Sequence, residues 1–158
     1  MSYLIDGNNV MGQRVGWHRD RRRARRELLD ELARFALAKK VSLAVVFDGA
    51  PDEHFADGSS YRGVRVYYAA RGSDADERIK TLVEASRERR TLYVVTSDRA
   101  LAEYVHRCGA QVIRAGEFRR RMAEADADAA THNPDAPPIE ESTERWMRYF
   151  GVAPEDDE

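Results

Sequence analysis

Four aspartates, each just beyond a short apolar run, are the residues of this chain best suited to chemistry. Asp6 ends YLID, Asp48 ends VVFD and Asp98 ends VVTSD; Asp76 follows the run VRVYY, inside SDADERI. Acids this far apart in sequence act together only if the fold gathers them. Two carboxylates about 4 Å apart repel by roughly 4 kcal/mol at an effective dielectric of about 20. A gathered cluster must therefore take up protons or bind a cation. Oxygen donors with no nearby His or Cys suit Mg²⁺ or Mn²⁺ rather than zinc. Such a cation keeps exchangeable waters, and phosphodiester hydrolysis is the natural chemistry.

Each acid also has a plain structural role on offer. Asp48-Gly49 is an ordinary turn pair. Ser73 or Asp74 could cap a helix starting there, with Asp76 or Glu77 completing a capping box, and Ser97 or Asp98 could cap the next. Asp6-Gly7-Asn8-Asn9 is turn-forming too, but capping explains Asp6 least readily, because no helical pattern is visible until about residue 20. Four acids at four such boundaries is a joint coincidence that separate caps and turns leave unexplained.

The elements that would gather them can be read from the pattern. Runs 3–6, 43–47, 64–68, 92–96 and 111–114 are short and continuously apolar, as strands covered on both faces are. Helical stretches lie between them: 20–40 with the stripe Leu28, Leu32, Phe35 and Ala36, then 74–89, then 99–108 stopped by Gly109, and a fourth after Gly116. This alternation predicts an α/β fold with a central parallel sheet of about five strands flanked by helices. All strand C-termini then share one rim, where ligand crevices of open α/β sheets form. Residues 50–63 are rich in turn formers and read as a mobile loop. Residues 125–138 lose periodicity and hold three prolines, which predicts a linker. A C-terminal helix and acidic tail are expected over 139–158, with Ile139, Trp146, Met147 and Phe150 able to dock.

The 158 residues are 42% hydrophobic and 34% charged, with a net charge of −2, which fits one folded domain. No apolar run is long enough to span a bilayer, no signal peptide opens the sequence, and Cys108 is alone, so the cytoplasm is the expected compartment. The charge is segregated. Residues 14–26 hold seven arginines against one acid, Asp20, and Arg119, Arg120 and Arg121 form a second cluster. Helices that follow parallel strands begin on the rim where the acids lie. Cations at a helix start oppose its dipole, which is more understandable if a polyanion lies there. Arg19, Arg22, Arg23, Arg26, Arg119 and Arg120 are the expected contacts to a nucleic-acid backbone. The competing account is that arginine is simply this chain's favoured helix former.

LIDGNNVMG, VVFDG, SDADERI and VVTSD, in this order, resemble the NYN domains of the PIN-like nuclease superfamily, the bacterial YacP type in particular. The resemblance covers about residues 2–122 and extends loosely to the helix around Trp146. It implies a three-layer PIN-like domain over residues 1–124, a Mg²⁺ or Mn²⁺ site and endonucleolytic cleavage of RNA. Position by position, Asp6 and Asp76 match the principal metal-binding acids, Asp98 the acid of the TSD segment, and Asn9 the supporting asparagine. Asp48 matches a strand-end acid whose involvement varies, and Asp74 has no firm counterpart. Asn8 departs from the aromatic residue often found there. Single-stranded RNA is the implied substrate, and ribosome-associated mRNA, used by some relatives, is a candidate partner.

The alternative from another class is a non-catalytic RNA-binding or ribosome-associated module that keeps the fold. A phosphatase with Asp6 as nucleophile would want a second acid two residues on, where Asn8 stands, and no G-x-G-x-x-G or P-loop follows the first strand.

Overall fold

The first apolar run becomes the middle of a sheet. In the computed structural model, which describes residues 1–69 and 74–132, β1 (Ser2–Asp6) lies between β2 (Ser42–Phe47) and β5 (Leu92–Val95), parallel to both. β4 (Val64–Tyr68) pairs parallel with β2, and β6 (Gln111–Ile113) with β5. β3 (Ser59–Tyr61) adds antiparallel to β4, giving the order β3-β4-β2-β1-β5-β6. The helices are α1 (Gly7–Met11), α2 (Arg21–Lys39), α3 (Ala75–Ala85), α4 (Arg99–Arg107) and α5 (Ala115–His132).

Strand alternation sorts the core into two faces. Leu4, Val46 and Val94 pack with Ala75, Ile79 and Val83 of α3 and with Leu101 and Val105 of α4. Tyr3 turns the other way, meeting Phe35 of α2 at 5.5 Å and Phe118 of α5 at 5.9 Å between ring centroids. Phe35 and Phe118 meet at 5.1 Å. The sheet is thus covered on both sides, as its unbroken apolar strands require. Asp6 follows Leu4 by two residues and is paired in register with Val46. Its side chain therefore leaves the sheet on the face that carries α3 and α4.

Four features differ from the sequence reading. The sheet has six strands, because the stretch expected to be a mobile loop contains β3. The Asp57 carboxylate accepts the Tyr68 N–H at 2.9 Å and the Phe55 carbonyl accepts the Tyr68 hydroxyl at 2.8 Å, pinning that stretch to β4. Three residues, Ser59, Ser60 and Tyr61, are too few to show a period. Second, α1 begins directly after Asp6, where no helical pattern was visible, because five residues make little more than one turn. Third, α3 ends at Ala85, short of residue 89. Fourth, α5 continues to His132, through the first part of the expected linker. Residues 1–122 form one compact unit, and 123–132 are the described part of a second. The rest of the expected linker and the expected C-terminal helix and tail lie outside the described residues.

Candidate active site

Five parallel strands end on one rim, and the loops leaving β1, β2 and β5 are tied together there by asparagine. Asn8 Oδ1 accepts the Asp48 N–H at 3.0 Å, and Asn9 Oδ1 accepts the Ser97 N–H at 2.7 Å. Two consecutive side chains thus reach opposite ways from β1 and clamp both neighbouring strand ends. Gly7 makes room at the centre of this arrangement. A Cβ there would stand 2.6 Å from the Phe47 ring and 2.9 Å from the Val46 carbonyl oxygen.

Asp6 is 2% exposed, and its Oδ2 accepts the Thr96 hydroxyl at 3.0 Å. Although it precedes α1, it makes no side-chain capping bond to that helix. The Thr96 oxygen in turn accepts the Asp98 N–H at 3.1 Å. Asp98 caps α4 by accepting the Leu101 N–H at 3.0 Å, and Asp74 caps α3 by accepting that of Glu77 at 3.1 Å. Asp48 Oδ1 takes the Ala75 N–H at 2.7 Å, joining the β2 end to the first turn of α3. Capping roles anticipated for Asp74 and Asp98 are therefore real, and Asp98 fills one while standing beside Asp76.

The electrostatics show how near these acids are. Burial raises the Asp6 carboxyl to about 6, with Asp76 and Asp48 adding to the rise and the Thr96 hydrogen bond opposing it. Asp76 is also raised to about 6, first by burial, then by Asp98, Asp74 and Asp48. The Asp76 carboxyl lies within hydrogen-bonding reach of Asp98. Among the described residues, no three His, Cys, Asp or Glu side chains stand close enough to hold a metal jointly. The donor chemistry nonetheless fits a hard divalent cation. The converging groups are carboxylates, without thiol or imidazole among them, and the charged forms of two are penalised in a way a cation would relieve.

The predicted arginines have mixed fates. Arg119 is half-buried, donating to Glu31 at 2.6 Å and to the Val10 carbonyl at 3.3 Å. Arg23 pairs with Glu27 at 3.1 Å, Arg22 with Asp52 at 3.7 Å, and Arg120 with Glu117. Arg26 lies over the Phe55 ring, and Arg19 is exposed. Arg25 was not singled out, yet it lies over Phe47 and Tyr68 and donates to the carbonyls of Asp48 and Ala50. Sequence reasoning also passed over Thr96 and gave Asn8 no role. The available signal was their position, a polar residue with hydrogen-bonding capacity at each end of an apolar run.

A family model for the YacP-like NYN domain matches residues 3–148. The chain belongs to this family. YacP-like NYN domains are PIN-like nucleases. Comparison with functionally curated proteins finds no match. Among solved structures, that of Rae1 (YacP) from Bacillus subtilis is 22% identical, with a TM-score of 0.66 over 96% of this chain and 84% of that one. A variant of Rae1 carrying a tryptophan-to-leucine substitution is 24% identical, with a TM-score of 0.67 over 81% and 77% of the two chains. At these identities the likeness concerns the fold, a mostly parallel sheet between helices. No helix among the described residues is long and apolar enough to cross a membrane.

Proposed function

We propose that this chain is a divalent-metal-dependent endoribonuclease that cuts single-stranded RNA at the carboxylate rim. The observation that carries the reading is the convergence of Asp6, Asp48, Asp76 and Asp98 on one sheet edge, with Asp6 and Asp76 each raised to about 6 by burial first and by neighbouring carboxylates second. Asp6, Asp76 and Asp98 would hold Mg²⁺ or Mn²⁺ in part through the waters such an ion retains, with Asp48 as a further oxygen donor. When bound, such a cation supplies charge neutralisation at the phosphodiester and activation of water.

The chain's own groups do the positioning. Thr96 orients the Asp6 carboxylate through its hydroxyl. Asn9 keeps the loop after β5, and so Asp98, against the end of β1. Arg19, Arg22, Arg23, Arg26 and Arg120 would meet the phosphates of the strand, where weak surface ion pairs exchange for stronger contacts with phosphate. Arg119, tied to Glu31 and Val10, would support this rim from beneath. Family membership supports RNA as the substrate, and ribosome-associated mRNA is its candidate source.

The test is cleavage of a single-stranded RNA with Mn²⁺ by wild type, Asp6→Asn and Asp76→Asn. Both variants are expected to lose roughly a hundredfold or more in rate, the scale on which a charge-stabilising group acts. Wild-type rates in both would end the proposal. One observation favours a second reading, a non-catalytic RNA-binding module: the described carboxylates do not form a ready metal-chelating trio. On that reading the wild type binds RNA but shows no divalent-dependent cleavage.

A further inference from the structure

Next to the carboxylates lies a polar cavity of about 510 Å³, lined among others by Gln13, Ser97, Arg114, Glu117, Arg120 and Arg121. It shares a wall with the acid site. Ser97 sits between Thr96, which bonds Asp6, and Asp98. Its N–H is held by Asn9 at 2.7 Å, and its hydroxyl oxygen accepts the Ala115 N–H at 3.1 Å. Gly116 lies against Gln13, whose Oε1 a Cβ at that position would meet at 3.4 Å, an ordinary contact. Three guanidinium groups and one carboxylate give this cavity a net positive charge, immediately beside a net negative cluster.

The single acid is placed to imitate a ligand. The Glu117 carboxylate bridges Arg120 and Arg121, the latter at 3.2 Å. All three side chains are at least 41% exposed, so the pairs are weak and readily exchanged. Arg114 is exposed and makes no ion pair among the described residues. A guanidinium fork matches phosphate oxygens in two parallel hydrogen bonds, which a carboxylate on the same helix turn also satisfies until something stronger arrives.

We propose that this cavity seats a backbone phosphate of the RNA strand next to the bond being cut, and that Glu117 is a built-in stand-in displaced from Arg120 and Arg121 when the phosphate binds. The proposal rests on the nuclease reading for its substrate. A strand with one phosphodiester at the carboxylates has its next nucleotide at the Ser97 wall. Opposite local charges then divide the work: the acids, with a cation, take the reacting phosphate, and the arginines, released from Glu117, take its neighbour. The volume lies in the range of clefts that admit a ligand larger than an ion, so sugar and base have room as well.

The test is equilibrium binding of a short fluorescent single-stranded RNA in EDTA, where cleavage does not interfere. Arg114→Gln combined with Arg121→Gln should weaken binding about tenfold and lower the slope of log affinity against log salt by about one. Glu117→Gln should bind roughly threefold tighter, an effect opposite in sign to that of any lost structural contact. Arg87→Gln, an exposed arginine after α3, serves as the control and should match wild type. The proposal is overturned if the folded double variant, checked by its melting temperature, binds as wild type does. It is equally overturned if Glu117→Gln fails to gain affinity, or if a free mononucleotide competes as well as the oligonucleotide. Because no catalysis is read, loss of the nuclease reading through Asp6→Asn and Asp76→Asn leaves this result separately legible.

Discussion

The Thr96 hydroxyl donates to Asp6 and accepts from the Asp98 N–H, so one buried oxygen fixes two acids that are 92 residues apart in number from Asp6 to Asp98. Thr96→Val keeps the shape and removes both bonds. It should cost about 1–3 kcal/mol in denaturant unfolding, because the buried Asp6 carboxylate and the partly buried Asp98 N–H each lose a partner, and an unchanged midpoint would contradict this account. Asp6 itself works against the fold when ionised. Its folded value, about 6, lies above the ordinary 3.8. Between those values the folded protein binds more protons than the unfolded chain, so stability falls as pH rises through about 6. For a residue 2% exposed the burden reaches roughly 3 kcal/mol above that range. Asp6→Asn should therefore melt higher than wild type in EDTA at about pH 7.5, with the gain vanishing near pH 4. A lower melting temperature at the higher pH would refute the unbalanced charge.

Among the elements, β1 decides the geometry, because it is flanked by β2 and β5 and the α1 turn that follows it sends one asparagine to each. The close approach that makes this possible requires Gly7. Gly7→Ala would place a methyl 2.6 Å from the ring of Phe47, which is fully buried. A cost of about 1–3 kcal/mol or more is expected from overpacking, read as a shift of the urea midpoint. Asn9→Ala acts differently. It frees the Ser97 N–H at an exposed position, so the loss should fall mainly on activity as the β5 loop loosens. Equal activity at matched metal concentration would show that the clamp does not position Asp98.

At the scale of the whole molecule, charge at the rim and stability are one equilibrium. A cation that binds only the folded protein adds about 2.7 kcal/mol at a hundred times its dissociation constant. Addition of Mn²⁺ should raise the melting temperature of the wild type at about pH 7.5, less at about pH 5 where protons occupy Asp6 and Asp76, and not at all in Asp6→Asn combined with Asp76→Asn. Calorimetric scans with and without the metal check this, and equal shifts in the double variant would place the cation elsewhere.

The sequence by itself determined the layered α/β plan and the rim on which the acids gather. Continuous apolar strands interrupted by helices admit few other arrangements, and parallel strands send all their ends one way. It also placed a cap at the start of each of these two helices, at Ser73 or Asp74 and at Ser97 or Asp98, since a cap involves neighbours three residues apart; the structure assigns both caps to the aspartates. Tertiary structure alone decided that Asp6 faces α3 and α4, that Asn8 and Asn9 diverge to separate strands, and that Arg119 holds Glu31 rather than solvent. Those outcomes hang on strand order and on pairings tens of residues apart. Local propensity carries no record of which distant groups will meet.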